Sequence, residues 1–160
     1  MQSVYIKRGL TPFGEFMPLR KIAEFVSPMA KMVVDFVPGD KLVTHAINGE
    51  KLGPIICYEI IIDSLVRDMA NSSKALIVQT NSATFANTPE SAQQLAITRI
   101  RAVEHSRAIL SVSTIGISAF IDNNGRVLSE TAENKRASLV GNLQLNTNKT
   151  FIDRFMQWII

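Results

Sequence analysis

The chain has 160 residues, of which 46% are hydrophobic and 19% charged, and its net charge is +3. This composition predicts one globular domain with a buried core and excludes an intrinsically disordered chain. The basic residues are scattered along the sequence, so the small positive charge predicts no nucleic-acid-binding groove.

Two residue types exclude further classes of site. Cys57 is the only cysteine, which excludes an internal disulfide and leaves the redox compartment undetermined. His45 and His105 are far apart and have no companions at ligand spacing, so we predict no metal site. No apolar stretch reaches the ~18 residues of a transmembrane helix, and residues 1–10 lack the apolar segment of a signal peptide.

The first 34 residues predict little regular structure. Residues 3–7 alternate weakly between polar and apolar side chains and predict a short strand, with Lys7 at its end. Residues 8–19 are interrupted by proline and glycine and predict a loop. Residues 19–34 carry apolar residues at mixed spacing and predict one or two helical turns, broken at Pro28.

A hairpin and a helix are predicted next. Residues 41–47 alternate and end at the turn signal Asn-Gly-Glu, residues 48–50. Residues 53–57 then predict the second strand of the hairpin. From Ile60 to Met69 the spacing of the apolar residues becomes that of a helix.

A buried strand and the clearest helix follow. Residues 74–80 are nearly all apolar, as in a strand that is buried on both faces, and residues 81–89 predict a loop. Residues 89–107 predict a helix with Pro89 at its first position. Its apolar points are Leu95, Ile97, Ile100 and Val103. Its charged residues are expected to form a solvated, ion-paired face, although a helix this apolar could bury one of them: Arg99, Arg101 and Glu104.

The last third predicts strands in succession. Residues 108–113 and 116–121 predict two strands, and residues 122–125 predict a hairpin turn after them. Residues 126–131 and 137–145 predict two more strands. The order of strand, helix, strand, helix and then several strands favours the α/β or α+β class, with a mixed sheet or paired sheets flanked by helices.

The position of Cys57 leaves two interpretations open. It follows a predicted strand and precedes a predicted helix, where backbone amides and the helix dipole stabilise a thiolate. A nucleophile on such a turn also projects from the sheet edge, within reach of a substrate. A lone cysteine is otherwise most often a small buried hydrophobic residue. A thiol enzyme with a histidine base would need His45 or His105 beside Cys57, and nothing marks either histidine as a base.

Lys7 and Glu15 are candidates for supporting such a thiol. A lysine beside a thiolate lowers the pKa of the thiol and stabilises the oxyanion of a tetrahedral intermediate, and Glu15 would orient that lysine. Local sequence alone favours a surface lysine and a solvated carboxylate. The predicted strand that runs into Asn81 presents polar groups at a sheet edge, where they could bind a substrate. The same residues are also typical of an ordinary turn between a strand and a helix.

Three motifs occur together in the order and spacing of a known family. They are Y-x-K-x-x-L-x-P-F-G-E-x-x-P from Tyr5 to Pro18, I-C-Y-E from Ile56 to Glu59, and R-x-R-A-x-E-x-x-R from Arg99 to Arg107. This set resembles the carbon–nitrogen hydrolase (nitrilase) superfamily. The forms P-F-G-E-x-x-P and C-Y-E, with G-x-S-A-x-I-x-x-x-G at residues 116–125, resemble its apolipoprotein N-acyltransferase branch.

The resemblance implies an α/β (α+β) fold, the nitrilase-like αββα sandwich of two sheets with helices outside. It implies a domain at residues 1–150 and an apolar tail at residues 151–160 that leads toward a membrane helix. It also implies a Glu-Lys-Cys triad in which Cys57 is the nucleophile and Lys7 stabilises the oxyanion and the thiolate. Glu15 matches a carboxylate that supports the lysine. Four further residues match positions that bind substrate or shape a lid: Tyr58, Glu59, Asn81 and Phe85.

The implied reaction is a ping-pong acyl transfer that uses no cofactor. The cysteine attacks the ester of a phospholipid and forms a thioester, and the N-terminal amine of a diacylglyceryl-cysteine lipoprotein then takes the acyl chain. The implied partners are the phospholipid donor, the lipoprotein acceptor and the membrane, which a missing N-terminal region would span. The implied location is the bacterial cell membrane, with the catalytic domain on its extracytoplasmic face.

Two departures from the family pattern affect these expectations. The glutamate that acts as general base belongs upstream of the lysine motif, and only six residues precede Lys7. We therefore expect an N-terminally incomplete sandwich that is inactive by itself. Phe85 stands where much of the family has tryptophan, so the contacts of that loop are not carried over. Two other interpretations stay open: a soluble amidase of the wider superfamily, and a non-catalytic remnant or interaction module.

Overall fold

The computed structural model of the chain describes residues 3–155. The described residues form one six-stranded sheet in which the strands lie in chain order. The strands are β1 (His45–Ile47), β2 (Glu50–Ile56), β3 (Ala75–Thr80), β4 (Ile109–Ser113), β5 (Ala119–Ile121) and β6 (Val127–Glu130). Strands β2, β3 and β4 run parallel to one another, and the strand pairs toward both edges are antiparallel.

The helices within residues 3–155 are α1 (Arg20–Val26), α2 (Asp63–Ser72), α3 (Glu90–His105) and α4 (Phe151–Phe155). Helix α2 joins β2 to β3 and α3 joins β3 to β4, which are the crossover connections that parallel strands require. Both helices pack on the sheet and contact each other. The core consists of fully buried apolar side chains, among them Ile55, Ile60, Val66, Met69, Leu76, Val78, Ile109 and Ile121. The predicted α/β class is confirmed, and residues 3–155 form one of the two sheets that the resemblance implies.

The predicted hairpin is confirmed as β1 and β2, and its turn explains why it forms. Asn48 has a φ of 52° and Gly49 a φ of 82°, so both central residues occupy the left-handed region. A two-residue turn with this geometry matches the twist of the strands, and asparagine and glycine enter it at the lowest cost. The first strand is shorter than predicted, because it covers only His45–Ile47 of residues 41–47.

Two predicted strands are not formed. Residues 3–7 are irregular, and the two backbone amides that follow them donate to the carboxylate of Glu59 instead of to a strand. Lys7 therefore lies in a loop. Residues 137–145 are irregular as well, and Val140 within them is almost fully exposed. A segment with alternating apolar residues forms a strand only when its backbone can pair with the edge of a neighbouring strand.

The helical turns predicted for residues 19–34 are confirmed. Helix α1 ends before Ser27, and a 3₁₀ turn follows at Pro28–Met32, so the break lies at the predicted proline. Helix α1 buries none of its residues. This part of the chain therefore leaves large apolar side chains in contact with solvent.

The buried face of α3 differs from the prediction. Leu95 and Ile97 pack against the core as expected, but Ile100 and Val103 are 63% and 54% exposed. The inward face instead includes Thr98, Arg101, Ala102 and His105. Polar side chains can occupy a core when their donors and acceptors find partners inside it, and apolar periodicity does not reveal such positions.

Arg101 is buried rather than solvated, and it holds the backbone that follows Cys57. Its Nε donates to the carbonyl of Ile60 at 2.8 Å and its Nη2 to that of Ile61 at 3.2 Å. It also forms ion pairs with two carboxylates, those of Asp63 and Glu104. Hydrogen bonds from a charged donor are stronger than neutral ones, so α3 fixes the turn directly after the candidate nucleophile.

The end of the described chain docks on α3 through a buried hydrogen bond between a histidine and a carboxylate. His105 Nδ1 lies 2.6 Å from Asp153 Oδ1, and both side chains are almost fully buried. His105 is therefore hydrogen-bonded to Asp153. A thiol enzyme with a histidine base would instead need this histidine beside Cys57. Residues 156–160 of the predicted tail lie outside the described residues. No helix within residues 3–155 has both the length and the hydropathy to cross a bilayer.

Candidate active site

The three parallel strands end at one edge of the sheet and bring distant residues together there. Strand β2 leads into Cys57, β3 into Asn81 and β4 into Thr114. The hydroxyl of Thr114 donates to Asn81 Oδ1 at 2.9 Å, so the strand ends are in direct contact. Open α/β sheets bind their ligands outside the carboxyl ends of the strands, which makes this edge the candidate active site.

Cys57 lies at a sharp bend between β2 and a 3₁₀ turn, Cys57–Ile61. Its φ of 51° is in the left-handed region, which costs a residue with a Cβ atom roughly 1 kcal/mol. The side chain is half-buried at the end of the strand. Backbone strain of this kind clusters at active sites. It favours the nucleophile over a small buried hydrophobic residue, because filling space requires no strained bend.

Lys7 and Glu15 form an ion pair in the loop before α1. The lysine Nζ lies 2.5 Å from Glu15 Oε2 and 3.2 Å from Thr11 Oγ1. The same carboxylate oxygen accepts a hydrogen bond from the backbone amide of Thr11 at 2.7 Å. The two side chains are only 12% and 23% exposed, so they are not the solvated surface residues that local sequence favours. Glu15 holds the lysine in one orientation.

The surroundings of Cys57 raise the pKa of its thiol. Burial has the largest effect, and the carboxylates of Glu90 and Glu15 act in the same direction. The Lys7 ammonium and the backbone amide of Tyr58 lower the pKa but do not offset the rise. Lys7 therefore acts on the thiol in the expected direction, against a larger opposing effect of burial, and its role as a thiolate stabiliser stays a prediction. A sulfur that attacks from its protonated form needs a proton acceptor.

Replacing Lys7 with methionine is expected to raise the pKa of the Cys57 thiol further. The variant keeps an unbranched side chain but removes the positive charge that favours the thiolate. Alkylation by iodoacetamide should shift to higher pH and slow roughly two- to tenfold at neutral pH. Lys21→Met removes the same charge from the exposed surface of α1 and should leave alkylation unchanged. Identical pH profiles for wild type and Lys7→Met would show that this lysine does not act on the thiol.

Glu59, two residues after Cys57, is wholly buried and hydrogen-bonded on both carboxylate oxygens. Three of its donors come from the segment around Lys7: the amide of Arg8 at 2.6 Å, the amide of Gly9 at 3.0 Å and the hydroxyl of Tyr5 at 2.9 Å. The fourth is the amide of Ile56 at 2.7 Å, from the segment around Cys57. This carboxylate joins the Lys7 loop (residues 5–15) to the Cys57 turn (residues 56–59). Its side chain is 0% exposed, so it shapes the site from inside the protein, and a contact with substrate or lid stays a prediction.

The other predicted site residues lie around the same edge. The backbone amide of Tyr58 donates to the Cys57 sulfur, and the tyrosine is half-buried. Asn81 is exposed, and its oxygen accepts the bond from Thr114. Phe85 ends a short 3₁₀ turn in the loop after β3 and is half-exposed. Their contacts with a substrate stay predictions.

Two residues of α3 belong to the site and escape prediction from the sequence. Gln94 Nε2 donates to the carbonyl of Cys57 at 3.4 Å and to Thr80 Oγ1 at 3.3 Å. Glu90, one helical turn earlier, acts on the thiol through its charge. Their spacing of four residues puts both side chains on one face of the helix, and this spacing is all that the sequence shows of their proximity. That this face turns toward Cys57 is visible only in the structure.

The sequence matches the family model described as carbon-nitrogen hydrolase over residues 2–152. It is 38% identical over 146 residues to the apolipoprotein N-acyltransferase of Mycolicibacterium smegmatis, covering 90% of this chain and 24% of the relative. It is 33% identical over 161 residues to that of Coxiella burnetii, covering 97% of this chain and 32% of the relative. The chain therefore spans about a quarter to a third of the length of these relatives.

A solved structure shares the fold. Nit3 of Saccharomyces cerevisiae, a member of branch 10 of the nitrilase superfamily, superposes with a TM-score of 0.53 and 23% sequence identity. The superposition covers 62% of this chain and 40% of that one. At this level of identity the likeness concerns the fold alone.

Proposed function

The chain belongs to the carbon–nitrogen hydrolase family, and we propose that it carries the catalytic cysteine of a bacterial apolipoprotein N-acyltransferase. The enzyme would move a fatty acyl chain from a phospholipid to the N-terminal amine of a diacylglyceryl-cysteine lipoprotein through a thioester on Cys57. The observation that carries this proposal is the 38% identity, over 90% of the chain, to a relative of that name. The arrangement of Cys57, Lys7 and Glu15 fits the chemistry.

The first half-reaction forms the thioester. The Cys57 sulfur attacks the ester carbonyl of the phospholipid, and its proton passes to a general base, which the resemblance identifies as a glutamate other than Glu15 and Glu59. The Lys7 ammonium stabilises the oxyanion of the tetrahedral intermediate. The C–O bond then breaks, the lysophospholipid leaves with the proton, and the acyl group stays on sulfur.

The second half-reaction releases the enzyme. The amine of the lipoprotein attacks the thioester carbonyl, a C–N bond forms and the C–S bond breaks. The sulfur leaves with the bonding electrons and regains a proton, which restores the Cys57 thiol. A covalent intermediate divides one difficult transfer into two easier ones, and a thioester gives its acyl group readily to an amine.

An apolar groove near the Lys7–Glu15 pair supports a lipid substrate. Its volume is about 410 Å³, and its lining includes Phe13, Met17, Val26, Met29, Ala30 and Val33. Phe13 and Met17 flank Glu15 at two residues to either side along the chain. Ligand sites are concave and mostly apolar, and none of the described residues that line this groove is charged. Such a lining suits a hydrocarbon chain.

Exposed apolar side chains on the same segment support contact with a membrane surface. Phe25, Met32 and Val37 are almost fully exposed. Clusters of this kind mark interaction surfaces, and aromatic and aliphatic side chains insert into the boundary between headgroups and acyl chains. The proposal therefore places residues 19–37 against a bacterial cell membrane, with the catalytic site on the extracytoplasmic face.

Acylation by an activated ester tests the proposal. p-Nitrophenyl palmitate has a good leaving group, so the thiolate fraction of Cys57 can attack it without the general base that the phospholipid ester requires. Incubated with this ester, the chain should gain the mass of one palmitoyl group on Cys57, and hydroxylamine should remove it. A diacylglyceryl-cysteine peptide should then receive the palmitoyl group on its N-terminal amine, as detected by mass spectrometry. Absence of the adduct would overturn the proposal. Release of palmitate to water without transfer to the peptide would favour the soluble amidase instead.

A further inference from the structure

The carboxylate of Glu90 has no task in the two half-reactions described above. It is the first residue of α3, which begins one residue later than predicted, after Pro89. Its Oε2 is buried and has no hydrogen-bond partner among the described residues. Gln94, on the same face of α3, donates to the carbonyl of Cys57 at 3.4 Å. This face of the helix therefore lies against the Cys57 turn.

A buried carboxylate oxygen without a donor is costly to keep. Leaving a buried acceptor unsatisfied costs about 1–3 kcal/mol, and more for a charged group. Glu59 and Asp153, which are also buried, are hydrogen-bonded on both oxygens. The ammonium of Lys7 is already paired with Glu15. A cation supplied by a ligand would satisfy the carboxylate of Glu90.

The charge of Glu90 does not assist the first half-reaction, because it raises the pKa of the Cys57 thiol. A negative charge is useful in the second half-reaction, when the incoming group is an α-amine. Such an amine has a pKa of about 7.7–8.0 and is mostly protonated at neutral pH. Opposite charges attract more strongly in a partly buried site than in water, so a carboxylate beside the thioester would draw the ammonium group to it.

We propose that Glu90 binds the amine of the acyl acceptor beside Cys57, an inference that rests on the proposed function. The ammonium group pairs with the carboxylate and passes one proton to it as the nitrogen attacks the thioester. The C–N bond forms, the C–S bond breaks, and the remaining surplus proton moves from nitrogen to the leaving sulfur. Glu90 then returns its proton to water. The residue thereby selects an amine acceptor over water.

Deacylation by charged and uncharged nucleophiles tests this role. The chain is first acylated on Cys57 with p-nitrophenyl palmitate and then treated at neutral pH with a diacylglyceryl-cysteine peptide or with hydroxylamine, which carries no charge. Glu90→Gln should slow transfer to the peptide roughly tenfold, mainly through a higher KM for the peptide. Release by hydroxylamine should be unchanged. Glu130→Gln, at an exposed position at the end of β6, removes the same charge and should alter neither reaction.

The outcomes separate this inference from the proposed function. If Glu90→Gln slowed transfer to the peptide and release by hydroxylamine equally, Glu90 would have a merely structural role. If the variant transferred to the peptide at the wild-type rate, Glu90 would take no part in the reaction. Either result overturns this inference and leaves the proposed function standing. Absence of a thioester on the wild-type chain would overturn the proposed function and the inference together. Iodoacetamide checks the variant independently. Glu90→Gln should alkylate faster than wild type because it lacks a charge that disfavours the thiolate, and slower alkylation would contradict the placement of Glu90.

Discussion

Replacing Cys57 with alanine is expected to abolish the acyl adduct completely while the fold is retained. In the proposed reaction the sulfur forms the thioester bond, and alanine has no atom that can replace it. Cys57 is half-buried and lies outside the cluster of fully buried core residues, so losing one sulfur atom should cost less than about 1 kcal/mol of stability. Mass spectrometry after treatment with p-nitrophenyl palmitate measures the adduct. A hydroxylamine-sensitive adduct on the variant would show that another residue is the nucleophile.

Glycine at the same position separates the chemistry of Cys57 from the strain of its backbone. Both variants lack the nucleophile, but glycine adopts a positive φ without the cost that alanine bears. Cys57→Gly is therefore expected to be more stable than Cys57→Ala by about 1 kcal/mol, measured by urea unfolding. Equal stabilities of the two variants would mean that the positive φ at residue 57 does not destabilise the protein.

Replacing Glu59 with glutamine is expected to destabilise the protein by about 2–4 kcal/mol, because hydrogen bonds to a charged group contribute roughly 1.5–3 kcal/mol each. The buried carboxylate accepts bonds on both oxygens. In the variant, one of those oxygens becomes an NH₂ group. Whichever way the amide turns, that group faces a backbone donor, either the amide of Ile56 or those of Arg8 and Gly9. Urea unfolding measures the loss.

Tyr5→Phe is the matched control for this change. It removes one donor to Glu59 and leaves the carboxylate in place. Burial, and then the neighbouring carboxylate, raise the pKa of Tyr5, so its hydroxyl is a donor throughout the neutral range. The control is expected to cost about 1 kcal/mol. If the glutamine variant cost no more than the control, Glu59 would not be what joins the Lys7 loop to the Cys57 turn.

Elements with a local signal could be predicted from the sequence. The Asn-Gly pair at residues 48–49 identifies the hairpin of β1 and β2, because glycine and asparagine enter the left-handed region most readily. The nearly unbroken apolar run at residues 74–80 identifies β3. In both cases the deciding interactions lie within a few residues. The α/β class then follows from the order of the elements.

Positions whose environment comes from distant parts of the chain could not be predicted in this way. On the inward face of α3, Arg101 donates to the carbonyl of Ile60, and the Nδ1 of His105 is hydrogen-bonded to the carboxylate of Asp153. These partners lie 41 and 48 residues away along the chain. Helical periodicity ranks residues by their own hydrophobicity, so it also assigns to the inward face two side chains that are exposed, Ile100 and Val103.

In the candidate site, too, the sequence identifies some residues and leaves the surroundings of others undetermined. The family motifs pointed to Cys57, Lys7 and Glu15, whereas their local sequence favoured ordinary surface or core positions. The burial of Glu59 and the unpartnered oxygen of Glu90 both depend on where a side chain points. A motif specifies which residue occurs at a position and leaves that direction open.

The order of the strands affects how the chain folds during synthesis. Within residues 3–155, each strand from β2 to β6 pairs with the one made just before it, so none of these strands has to be inserted between two that are already paired. The sheet can therefore grow at one edge as the chain leaves the ribosome. The Lys7 loop is different, because Glu59, which joins it to the Cys57 turn, is made 50 residues after Gly9. The amides of Phe36 and Gly39 can bind this loop earlier, but its hydrogen bonds to the carboxylate of Glu59 form only after the ribosome has passed Cys57.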